Sequence, residues 1–277
     1  MGDYSALRRT YLPDEYRRDT ALHNVVATVH VEAECDRSQQ VAETRWLTEI
    51  AARHGMPNAI VAHAWIDTPN AEEILVEHKK VPTGMRHPHQ AHHLRGARPR
   101  SDARPASQHA GPQVAQRPVA VAKSTTCRGT CAWVWWHLRK RPRWCASIHG
   151  LRTVLSHTGY PLDRSPEGAS RHGPGMQALA ACPGVWCKIS GLVVRTKPWT
   201  LAANKPHHSR HKMRIFGVAT AACSRRGLCV GNLKGSWTPL YSQFKRAVAD
   251  FPLADHPGCS PGMRRVHRIE LQRSVQL

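Results

Sequence analysis

Acidic residues are nearly missing from the middle of this chain. Between Val81 and Arg152 there is one carboxylate, Asp102, against 13 Lys/Arg, a net of +12. Residues 1–80 hold 13 Asp/Glu against 9 Lys/Arg, a net of −4. A folded enzyme rarely reverses sign so abruptly, so the total of +21 cannot be read as one design choice. Phenylalanine is also scarce, at 3, while tryptophan is high at 9. No apolar run approaches the ~18 residues that a membrane span needs. The start, Met1-Gly2-Asp3-Tyr4, has no basic region followed by an apolar run, the pattern of a secretory signal. Ala6 stands where a myristoylation motif needs Ser or Thr. The expectation is a cytoplasmic protein with no membrane partner. Nine cysteines, an odd number without a signal, argue against a disulfide framework.

What is present is regular in some stretches only. Residues 24–34 (NVVATVHVEAE) are β-branched and apolar and read as a buried strand. Ser38 is placed to cap a helix running to about Arg53, with Val41, Leu47, Ile50 and Ala51 on one side and Gly55 as its stop. Residues 58–66 read as a second strand. Asn70 precedes a second helix, AEEILVEHKK, whose acids lie in the first turn and lysines in the last, matching the macrodipole. Strand, helix, strand, helix with short joins points to parallel βαβ units. Order returns at 153–157 (strand), 175–181 (short helix) and 184–190 (strand). Ser236 is placed to cap a last helix, WTPLYSQFKRAVADF.

Elsewhere the periodicity is lost. Residues 81–126 cluster Pro, Arg, His, Gln and Ala with no period of 2 or 3.6. The segments 81–152, 205–212, 219–230 and 257–265 of a single domain spanning 1–277 are expected to be poorly ordered. Cys127, Cys131, His137, Cys145 and His149 imitate a zinc module, but their spacings fit no tight pattern. His207, His208 and His211 form a similar decoy.

The regular stretches resemble the amidohydrolase-related family of metal-dependent hydrolases. The resemblance is carried in order by NVVATVHVEAECDRSQQVAETRWLTEIAARHGMPNAIVAHAWIDTPNAEEILVEHKK, VLSHTGYPLDRSPEG, GMQALAACPGVWCKISGL and LKGSWTPLYSQFKRAVADFPLAD, with shorter pieces between. It covers somewhat more than half of the chain. It implies an α/β fold, here a degraded or incomplete (β/α)8 TIM barrel. It implies a Zn or Mn ion that activates water against a lactone, ester or amide of a small molecule. The family's His-x-His pair would lie before the chain begins. Its last-strand Asp would fall near Gly231 or Asn232, neither of which is anionic. The implied divalent metal is therefore not expected to be tightly bound, and activity is expected to be low or nil.

The resemblance marks His157, in LSHTG at a strand end, as the best surviving metal ligand. His63 in VAHAW is a second candidate, equally explained as a buried, hydrogen-bonded imidazole. Glu32 and Glu34 end the first strand and could face substrate, metal or solvent. Lys188 and Ser190 in CKISG match a family-like strand end and are candidates for substrate contact, equally explained by a structural or solvent-facing role.

The irregular stretches become sensible protein when back-translated with G/C-rich codons and read one nucleotide off. Residues 139–148 then give AEAAEVVREH, 86–93 give GIRTKPTT, 169–173 give LAAW after a glycine, and 222–226 give MFAS. A frame-damaged or pseudogene translation is one reading of this pattern. A rival reading is a basic nucleic-acid-binding protein, with Trp133, Trp135, Trp136 and Trp144 stacking bases among arginines. Its basic residues crowd into aperiodic stretches rather than one face of an ordered element, so no specific nucleic-acid partner is expected.

Overall fold

The computed structural model describes residues 9–32, 35–65, 69–82, 90–95, 129–131, 153–159, 166–188, 190, 221–222, 238 and 242. Helix α1, Pro13–Asp19, opens with proline at its first position, where the missing N–H costs nothing. The Glu15 carboxylate accepts from the Leu12 N–H at 2.9 Å. Arg17 donates to the carbonyl of His54 and so ties α1 to the end of the next helix.

Strand β1, Val29–Val31, is shorter than the apolar run around it. The 24–34 expectation therefore overstates its length, because only three residues find partners on β2, Ala59–Trp65. A single 3₁₀ turn, Arg37–Gln39, leads into α2, Gln40–His54. Asp36, not Ser38, caps the 3₁₀ turn, and α2 itself begins after Gln39 with no side-chain cap bond. The Asp36 carboxylate accepts from the Ser38 N–H at 2.9 Å and from its hydroxyl at 2.6 Å. That carboxylate, two residues earlier, holds Ser38's own amide and hydroxyl, so the Ser38 side chain is engaged by Asp36. Gly55 stops α2 as expected, in the left-handed region at φ 70°, donating to the Ala51 carbonyl at 2.8 Å.

Helix α3, Ala71–Lys80, follows β2. Asn70 stands at its cap position but makes no side-chain cap bond. Ala59, Ile60, Val61, Ala62 and Ala64 of β2 are all buried, so the strand is covered on both faces. Leu75 and Ala64 share a core cluster with Ile74 packed against it. On the same helix His78 is fully buried, its Nδ1 3.0 Å from the Thr44 hydroxyl of α2, so two buried polar groups satisfy each other.

The segment expected to be irregular contributes two strands. Gln90–Arg95 is β3 and Gly129–Cys131 is β4. Neither QAHHLR nor GTC shows a period of two. Then come β5, Thr153–Leu155; α4, Pro166–Ala180; β6, Val185–Lys188; and β7, Ala221–Ala222, which lies within the 219–230 stretch. Helix α4 is longer than the 175–181 expectation and runs through Gly168, Gly173, Pro174 and Gly175. Thr238 and Ser242 of the expected last helix are helical; its other residues lie outside the described ones. So do 205–212 and 257–265. Cys182 is disulfide-bonded, which the cysteine count did not anticipate.

All neighbouring strands pair parallel, in the order β1-β2-β3-β4-β5-β6-β7. Sequential parallel order with intervening helices is the winding of a (β/α)8 barrel. The described residues supply seven strands of it, an incomplete barrel as the sequence implied. Among them, no helix is long and apolar enough to cross a membrane.

Candidate active site at the strand ends

In a parallel barrel the carboxyl ends of all strands open on one face, so chemistry from distant sequence collects there. The residue after β1 is Glu32, whose N–H donates to the Val61 carbonyl of β2 at 2.9 Å. Glu32 is 7% exposed. Strand β5 ends at Leu155, in register with Cys187 of β6, so Ser156 and His157 follow at the level where β6 ends in Lys188. Ser190 lies just beyond.

The turn after β5 is sharp. His157, Thr158 and Gly159 all hold left-handed backbone, at φ 51°, 53° and 74°. For the two non-glycine residues that conformation costs on the order of 1–2 kcal/mol each. Strain of this kind is tolerated where a side chain must be aimed. Here it aims the imidazole of His157, whose Nδ1 lies 2.8 Å from the Ser190 hydroxyl. Ser190 itself is 2% exposed, while His157 is only half-buried.

Lys188 is 5% exposed, and loss of water pulls its ammonium from the usual 10.5 down to about 8. The Glu32 charge works against that shift. Five strand steps separate β1 from β6, roughly 24 Å in a flat sheet. At that span Glu32 would not bias the charge on Lys188. The interaction therefore requires the sheet to curl and bring β1 across to β6, as barrel winding does. Glu32, Lys188, Ser190 and His157 thus share one end of the sheet.

The other candidates are not gathered there in the same way. His63 lies in β2, in register with His93 of β3, and its side chain is outside the described residues. His93 was hidden to sequence reasoning because QAHHLR carries no strand period. Glu34, Gly231 and Asn232 lie outside the described residues, as do His207, His208 and His211. Of the Cys/His decoy only Cys131 is described, at the end of β4. Cys35, which the sequence did not flag, is no nucleophile. Burial, then Glu43 at 3.6 Å, push its thiol up to about 11.

A tight divalent site needs about three protein donors. Among the described residues no group of three His, Cys, Asp or Glu side chains could hold a metal. Glu32 already shares its charge with Lys188, and His157 already engages Ser190 through Nδ1. The residues described do not fit a tightly held metal.

No family model matches this chain. It is 26% identical over 262 residues to the uncharacterized protein y4mH of Sinorhizobium fredii, covering 92% of this chain and 84% of that protein. Among solved structures it is similar to an amidohydrolase from Burkholderia multivorans. That form with bound HEPES gives a TM-score of 0.73 at 22% identity, over 97% of this chain and 93% of the other. The same protein with bound zinc gives 0.72 at 21%, with the same coverage. A 2,6-dihydroxybenzoate decarboxylase from Rhizobium gives 0.59 at 13%, over 97% and 93%. The chain therefore has the amidohydrolase fold, a fold that houses both hydrolases and decarboxylases.

Proposed function

We propose that this chain derives from a metal-dependent hydrolase of the amidohydrolase superfamily, acting on a small lactone, ester or amide, and that as written it is weakly active or inactive. The observation that carries the reading is the convergence of Glu32, Lys188, Ser190 and His157 at the strand ends of this fold. A buried, partly neutralised lysine is costly to keep, and such groups concentrate at functional sites. Lys188 and Ser190 would hold the carbonyl or carboxylate of a substrate, with Glu32 orienting the ammonium. His63 and His157 are the proposed remnants of a metal site that no longer binds tightly. Metal analysis of the purified chain is expected to return substoichiometric zinc and manganese. Lactone turnover is expected to stay near background when either ion is added. Stoichiometric metal together with metal-stimulated turnover would overturn this reading.

We infer further that the aperiodic segments are out-of-frame translation. Helix α4 supports this. In the interior of a helix glycine costs about 1 kcal/mol and proline about 3 relative to alanine, yet α4 carries Gly168, Gly173, Pro174 and Gly175. The shifted reading replaces residues 169–173 with LAAW after a glycine, which removes Gly173 and supplies better helix formers. Reading the underlying nucleotides in three frames is expected to show the frame changing at the segment edges. Uniform codon usage in one uninterrupted frame would remove the idea.

A further inference from the structure

We draw no further inference here: the strongest candidate, the side-chain cluster where β1 meets the first turn of α2, in which His30 Nε2 and Cys35 Sγ each lie 3.6 Å from the Glu43 carboxylate, carries nothing, because it joins a carboxylate to a lone cysteine and, among the described residues, no further observation points to a ligand there.

Discussion

Replacing Glu32 by glutamine is expected to lower the stability of the native state by about 1–2 kcal/mol at neutral pH, because the Lys188 ammonium that loses its counter-charge gives up its proton rather than stay charged and buried. The charge left behind is that of Lys188, buried at the end of β6 and opposed only by desolvation until Glu32 offsets it. The double variant Glu32→Gln/Lys188→Met removes both charges and is expected to recover most of the loss, because an apolar replacement of similar size has no desolvation cost. Urea unfolding monitored by circular dichroism checks the series. Equal stability of Glu32→Gln and the parent chain would contradict the electrostatic account.

The same lysine sets a pH dependence whose sign can be worked out. Its native pKa of about 8 lies below its ordinary 10.5. Between these values the unfolded chain binds more protons than the native one, so stability rises with pH across that window. The penalty is complete below pH 8, is gone above 10.5, and amounts to about 3 kcal/mol. Lys188→Met is expected to remove this rise. Tyr11 acts in the opposite sense. Burial and its hydrogen bond to Asp19 raise the phenol well above its usual range, so the native state keeps that proton and loses stability above pH 10. The comparison between parent and Lys188→Met isolates the lysine.

The second large effect is in the core. Leu75→Ala is expected to cost about 2–5 kcal/mol, a large part of the ~5–15 kcal/mol that holds a typical domain together. Leu75 is fully buried against Ala64 of β2, with Ile74 beside it. Ala64, a single methyl, has nothing to move into the space left behind. Val76 on the same helix is 43% exposed, and Val76→Ala is expected to change stability by less than about 0.5 kcal/mol. Thermal or urea melts of the two variants check the contrast; similar melts would remove Leu75 from the core.

How far the sequence was legible depended on whether an element announces itself locally. Helix α3 did so through its charge gradient, and α2 through Gly55, whose left-handed backbone only glycine adopts without strain. The Ser38 cap was misplaced because Asp36 and Ser38 can both accept from a nearby amide, and the choice rests on a dihedral angle that composition does not fix. Strands β3 and β4 were missed because QAHHLR and GTC carry no alternation. A strand between two parallel neighbours takes its stability from backbone bonds along both edges, and those partners lie 24 to 37 residues away in the chain. The helical pattern of α4 was half hidden for a related reason: packing along β6 outweighs a poor propensity.

The candidate site divides along the same line. Glu32, His157, Lys188 and Ser190 were each marked in the sequence by a strand end and a family-like string, and that marking named single residues only. Barrel curvature decided that the charge of a carboxylate after β1 reaches the ammonium that ends β6, and the parallel register of β5 with β6 decided that His157 meets Ser190. Residue type fixes which charges and nucleophiles a chain owns, through local chemistry. Which of them meet is set by long-range strand pairing and burial, which act only once the sheet has closed around them.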